Sequence, residues 1–277
     1  MRVLMTGAGG GIGSKLRKLL PPIYPDLVLS DIKSPEGLAA GETFIQADLT
    51  DYAAVERVVK GVDGIIHLGG FSVEGPWETI LQSNIIGTYN LFEAARASGV
   101  KRIVFASSNH VVGFYPRSCE IGIDTLPLPD SRYGVSKAFG ESLGAMYAHK
   151  HGLGVFCIRI GNAGVQPENE RQLSIWLKPE DLVSLIRIGL EREGIVYEVV
   201  YGVSDNARTF WDNSRAVELG YKPEGKAENF VERAMKAQQA LPPDEVGDYF
   251  QGGPFCSMEF SAPFASGRST MDPKTKG

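Results

Sequence analysis

The sequence has only three cysteines, Cys119, Cys157 and Cys256, an odd number with no C-x-x-C pair among them. Neither a disulfide framework nor a zinc site organises such a chain, and a reducing, cytoplasmic setting is the expectation, with no bound metal. Runs of basic residues are absent too: pairs such as Lys101-Arg102 stand alone, and the net charge is -5. Nucleic acid is therefore not an expected partner, because phosphate neutralisation needs clustered Lys and Arg. No stretch approaches the roughly 18 apolar residues of a membrane span. The few apolar residues between Arg2 and Gly7 are too short for a signal-peptide core, so no membrane partner is expected either.

Glycine, by contrast, is abundant: 33 of 277 residues, well above the roughly 7% average, without a collagen period or a low-complexity tract. From Arg2 to about Gly161, short apolar runs alternate with longer helical ones, which predicts βαβ units around a parallel sheet. Strands are expected near 2-6, 27-31, 43-46, 63-68, 101-106, 154-160 and 196-201. Helices are expected near 11-20, 51-60, 76-98, 131-151, 179-192 and 227-240, with a polar loop after Gly161. Runs such as Val3-Leu4-Met5 and Ile103-Val104-Phe105 do not alternate, as suits strands covered on both faces. The expected fold is α/β, a doubly wound parallel sheet of Rossmann type with a small C-terminal substrate-binding region. Residues 1-250 form one domain with substrate loops drawn mainly from 161-250; 251-277 is an extension whose final dozen residues read as a flexible tail.

The first strand-to-helix turn holds Gly7, Gly10 and Gly13 in a G-x-x-G-x-x-G pattern, with Gly11 and Ile12 inside it. A turn without Cβ atoms lets backbone N-H groups and a helix start approach a pyrophosphate. Asp31 closes the second strand, 18 residues after Gly13, where a carboxylate can accept both hydroxyls of an adenosine ribose and would repel a 2′-phosphate. NAD is therefore expected over NADP. Asp48-Leu49, after the third strand, can meet the adenine, and Leu68-Gly69-Gly70, ending the fourth, would let the cofactor lie on bare backbone. Ile32, Ser107 and Ile160 join the expected cofactor contacts. Ordinary turn requirements would also explain Asp31, Asp48 and the Gly69-Gly70 pair.

Tyr133 and Lys137 are spaced i, i+4 at the start of a helix and share a face. A phenol is a poor base at neutral pH unless nearby positive charge stabilises the phenolate. Ser107-Ser108-Asn109-His110 follow the fifth strand at its carboxyl end, where open α/β sheets place ligands. These motifs together resemble the extended short-chain dehydrogenase/reductase family, of the NAD-dependent epimerase/dehydratase-like kind, over roughly residues 1-240. The segments His67-Leu68-Gly69-Gly70-Phe71-Ser72-Val73-Glu74, Arg159-Ile160-Gly161, Trp211-Asp212-Asn213-Ser214 and Phe250-Gln251-Gly252-Gly253 resemble, more narrowly, its members that oxidise free hexuronates.

That resemblance implies that Tyr133 is the general base taking the C1 hydroxyl proton of a cyclic hexuronate while the hydride passes to NAD, giving an aldarolactone. Ser108 would bind the reacting oxygen, with Ser107 facing away, and Lys137 would bind the nicotinamide ribose and lower the tyrosine pKa. Arg171, in the loop after the sixth strand, corresponds to the carboxylate-binding arginine. Ser72, Asn109 and His110 are implied sugar contacts; a structural histidine capping a loop is the plainer reading of His110. Asn162 stands where the family pattern has serine, and Phe255 resembles a C-terminal aromatic that reaches an active site, that of a neighbouring subunit being one option. A homo-oligomer is expected. The alternatives are a sugar-nucleotide epimerase or dehydratase, disfavoured by the short stretch after Gly161, and a dinucleotide-sensing regulator, disfavoured by Ser108, Tyr133 and Lys137 occurring together.

Overall fold

In the computed structural model, which describes residues 1-264, seven parallel strands form one sheet in the order β3-β2-β1-β4-β5-β6-β7. They are β1 (Val3–Thr6), β2 (Leu27–Asp31), β3 (Thr43–Gln46), β4 (Gly64–His67), β5 (Arg102–Ser108), β6 (Gly154–Ile160) and β7 (Tyr197–Gly202). Burial at every position of β1, β4 and β6 explains their unbroken apolar runs. Val3 pairs with Leu27 on one side and Gly64 on the other, so β1 sits where the strand order reverses. Strand periodicity sends Met5, Leu29 and Ile66 into one core layer, and Leu4, Val28 and Ile65 into the layer on the opposite face.

Helices α1 (Gly13–Leu19) and α2 (Tyr52–Val59) flank the first half of the sheet. The single helix expected over 76-98 is instead three stretches: α3 (Trp77–Ile80), a π-helical stretch Leu81–Ile86 and α4 (Gly87–Ala97). Inside the π stretch the Asn84 side chain leaves the helix surface, donating to the Phe71 carbonyl and to Ser136 Oγ, both at 2.9 Å. Helix α5 (Arg132–His151) starts where the Ser131 hydroxyl accepts from Gly134 N–H and stops at Gly152, whose φ of 71° closes its end.

The region read as a polar loop after Gly161 contains α6 (Glu170–Ile175), begun by the Asn169 side chain accepting from Gln172 N–H. Beyond it come α7 (Pro179–Glu191), α8 (Ser214–Glu218), a 3₁₀ turn Ala227–Phe230, α9 (Val231–Gln238), α10 (Glu245–Tyr249) and α11 (Pro254–Ser257). The helix expected over 227-240 is thus shorter and opens with the 3₁₀ turn. Residues 251-253 are buried, with Gln251 fully so. The tail expected over the final dozen residues lies outside the described residues. Among the described residues no helix is long and apolar enough to cross a membrane, no cluster of metal-ligating side chains occurs, and all three cysteines are free.

Candidate active site

A cleft of about 1030 Å³ runs across the carboxyl ends of the strands. Its walls include Gly7, Gly10, Gly11, Ile12, Asp31, Ile32, Asp48, Leu49, Leu68, Gly69 and Gly70 at one end. Ser72, Ser107, Ser108, Asn109, His110, Tyr133, Lys137, Ile160 and Asn162 line the other. Gly13 lies beneath the turn rather than on the wall: a Cβ there would come within 2.2 Å of the Gly7 carbonyl. Gly7, at φ 71°, passes so near the end of β4 that a Cβ would come within 2.7 Å of Leu68 and Gly69 backbone. The turn can close only as bare backbone, which makes it a cradle for a diphosphate. Asp31 accepts from Gly9 N–H at 2.8 Å and from Ile32 N–H at 2.7 Å, one bond to each oxygen, so lone pairs remain for two ribose hydroxyls. Asp48 accepts twice from Thr50, which fixes its carboxylate at the cleft wall.

At the other end β5 and α5 bring the reactive groups together. The Ser108 hydroxyl hydrogen-bonds the Tyr133 phenol, which favours the phenolate, yet burial outweighs it and pushes the phenol up to about 12. Lys137 Nζ donates to the Ala106 carbonyl at 2.8 Å and lies 5.5 Å from the Tyr133 ring centroid. Burial brings its ammonium down to about 8. Neighbouring strand positions point to opposite faces, so Ser107 turns its hydroxyl to Glu141 at 2.6 Å, away from Tyr133.

Around Tyr133 lie the polar groups suited to a sugar. His110 Nδ1 lies 2.7 Å from Asp130 Oδ2, and the Phe255 ring of the same chain stacks on the imidazole at 3.9 Å. Arg171 and Phe255 do not line the cleft itself but join its walls through Asn109 and His110. The Arg171 Nε donates to the Gln251 carbonyl at 2.7 Å. With the Asn109 amide turned so that its nitrogen meets the Ile160 carbonyl, its oxygen accepts from Arg171 Nη2 at 3.0 Å. Arg171 forms no ion pair among the described residues, and burial pulls its guanidinium down to about 10. Asn162 is held by its backbone, donating to Ile175 O at 2.7 Å, and Ser72 is exposed at the cleft mouth.

Several supporting residues escaped the sequence reading. Glu141 ties Ser107 to Arg159, whose Nε and Nη2 both reach its carboxylate at 2.9 Å. Its place at i+4 from Lys137 was a usable signal. Glu74 accepts from Tyr133 N–H at 3.0 Å and pairs with Arg132 at 2.7 Å. Glu74, Arg159 and Gln251 lie in segments that carried the family resemblance but were given no role there, and Asp130 and Asn84 carried no motif, because His110 and Phe71 meet them only in the fold.

Residues 3–177 match the profile of the NAD dependent epimerase/dehydratase family. A uronate dehydrogenase of Pseudomonas putida is 47% identical over 256 residues, 92% of this chain and 95% of that protein. A uronate dehydrogenase of Pseudomonas syringae pv. tomato is 43% identical over 265 residues, 95% of this chain and 94% of the other. Among solved structures, a tyrosine-to-alanine mutant of uronate dehydrogenase from Agrobacterium tumefaciens, complexed with NAD, superposes with a TM-score of 0.88. That alignment has 45% identity and covers 92% of this chain and 97% of that one.

Proposed function

Because the chain belongs to the NAD-dependent epimerase/dehydratase family, we propose that it oxidises C1 of a free hexuronate, galacturonate or glucuronate, to the aldarolactone with NAD. The observation that carries this reading is Arg171. A partly buried guanidinium with no carboxylate in ion-pair contact among the described residues is costly unless an anion arrives, and the uronate carboxylate is that anion. Gly7, Gly10 and Gly11 cradle the diphosphate over Gly13, which lets the turn close, Asp31 takes the ribose hydroxyls, and Asp48 meets the adenine. Bound there, NAD would accept the C1 hydride. Tyr133 takes the C1 hydroxyl proton, Ser108 donates to the same oxygen, and the Lys137 charge stabilises the phenolate. Ser72, Asn109, His110, Asn162 and Phe255 orient the ring.

Residues 1-250 act as one domain with substrate loops from 161-250, and the stretch from Gln251 to Phe255 closes the sugar end. We place the enzyme in the cytoplasm, consistent with its free cysteines, and as a homo-oligomer.

The test is NADH absorbance with galacturonate, glucuronate, their neutral parent sugars and UDP-sugars. Signal with free uronates alone is expected. It falls by roughly 10²–10⁴-fold in Tyr133→Phe, and in Arg171→Ala it returns only at high substrate. Equal turnover of galactose and galacturonate would refute the role of Arg171, and preference for NADP would refute that of Asp31.

A further inference from the structure

His110 and Asp130 are joined twice. The imidazole Nδ1 lies 2.7 Å from Asp130 Oδ2, and the Asp130 backbone N–H donates to the His110 carbonyl at 3.3 Å. The Asp130 carboxylate is wholly shielded from solvent, although His110 itself lines the cleft. Two separate segments make room for it. A Cβ at Gly113 would come within 1.8 Å of Oδ2 and one at Gly252 within 2.0 Å, so only glycine at both positions admits the carboxylate. Ser131 Oγ donates to Oδ1 at 2.7 Å and fixes its rotation.

An ionised carboxylate can only accept, so the imidazole proton must sit on Nδ1. Of the charged groups facing His110, Asp130 and Glu74 favour the imidazolium and Arg171 opposes it; burial, the largest influence, keeps the ring neutral. Nε2 therefore carries a lone pair, and it has no protein hydrogen-bond partner among the described residues. Phe255 stacks within 19° of coplanar on one face of the ring, which confines approach to the ring edge.

We propose that Asp130 is a positioning residue that locks His110 in the Nδ1–H form, making its Nε2 an obligate acceptor for a substrate hydroxyl. This rests on the reading of a free sugar acid as substrate and sharpens it. The site then distinguishes the two ends of the sugar: the carboxylate goes to the donors of Arg171, and an acceptor-only edge at His110 rejects an anion and demands an O–H. Asp130→Asn preserves shape but presents an N–H to Nδ1, which moves the imidazole proton to Nε2 and turns the acceptor into a donor.

The test combines imidazole spectroscopy with kinetics. In ¹⁵N-labelled wild type the His110 signal, assigned by its loss in His110→Gln, is expected to show protonated Nδ1 and unprotonated Nε2. In Asp130→Asn the two should exchange. The KM for the hexuronate is expected to rise tenfold or more in Asp130→Asn, with NADH affinity within twofold of wild type. His110→Ala alone should cost about as much as His110→Ala combined with Asp130→Asn, because the carboxylate acts through the ring. Protonated Nε2 in wild type, or penalties that multiply in the double variant, would overturn the proposal. If wild type oxidises no free hexuronate, the substrate reading fails, while the wild-type imidazole signal still decides the Asp130–His110 assignment.

Discussion

At Tyr133 two physical demands oppose each other. Burial raises the phenol to about 12, while chemistry as a base requires it to give up its proton near neutrality. The Asp130 charge adds to burial, the Ser108 hydrogen bond acts against it, and Lys137 Nζ lies 5.5 Å from the ring centroid, where its charge favours a phenolate. Lys137 remains charged only below its own lowered value of about 8, so rising pH gains phenolate and, beyond that value, loses the lysine charge. The phenolate fraction grows as pH rises, and kcat/KM for uronate oxidation should climb with pH below about 8. In Lys137→Met the climb should move to higher pH and the rate should fall by roughly 10²-fold or more. A pH profile of both proteins checks this; coincident midpoints would contradict it. The pair was legible in sequence because i, i+4 spacing within one helix is a local property. Asp130 was not: its meaning comes from His110, on another segment, and from the space left by Gly113 and Gly252.

Elements were legible where their length let a period show. Every strand was foreseen; for β1, β4 and β6 the signal was an apolar run bounded by turns, as suits strands with both faces covered, while the edge strand β3 is only half-buried. The six residues of α6 give too few turns to display a helical period, and the π stretch within 77-97 is produced by the contacts of Asn84 rather than by an apolar pattern. Contacts between elements also set a stability term that no single element reveals. At the end of β4, His67 bonds Thr6 of β1 at 2.8 Å through Nδ1 and meets Thr88 of α4 at 3.4 Å through Nε2. Burial, with the Lys137 charge, drives its pKa from 6.5 down to about 3. The folded value lies below the unfolded one, so the unfolded chain binds the proton first. This share of stability is whole above pH 6.5 and declines by about 1.4 kcal/mol per unit as pH falls towards 3. His110, also lowered, adds a decline of the same sign. Denaturant unfolding of wild type and His67→Gln between pH 7.5 and 5, above the range where carboxylates protonate, should show the smaller slope in the variant. Equal slopes would mean that His67 carries none of it.

On the scale of the whole molecule, the sugar end of the cleft depends on chain ends and loops that the sheet alone does not hold. Gln251 is where they converge. Its side-chain oxygen accepts from Trp211 Nε1 at 2.9 Å, while its nitrogen donates to the carbonyls of Pro116 at 3.0 Å and Cys119 at 2.9 Å. Its own carbonyl receives the Arg171 Nε, and a Cβ at Gly253, two residues on, would come within 2.6 Å of the Arg171 side chain. One fully buried residue thus joins the segment before α8 and the loop after β5 through its side-chain amide, and α6 through its backbone carbonyl, to the stretch that carries Phe255. Gln251→Ala would leave Trp211 Nε1 and the Cys119 carbonyl without these partners, at about 1–3 kcal/mol each before relaxation, whereas the Pro116 carbonyl keeps the Cys119 N–H. A net loss of about 3 kcal/mol corresponds to a fall in Tm of about 6–12 °C for a chain of this size. The adenosine half, built by β1, β2 and the glycine turn, shares none of these bonds. NADH affinity should therefore stay within about twofold, while the KM for uronate rises with the displacement of Arg171 and Phe255. Thermal melts, NADH titration and uronate kinetics on the same variant separate the two halves. Loss of NADH affinity in step with the uronate KM would show instead that the site unfolds as one unit.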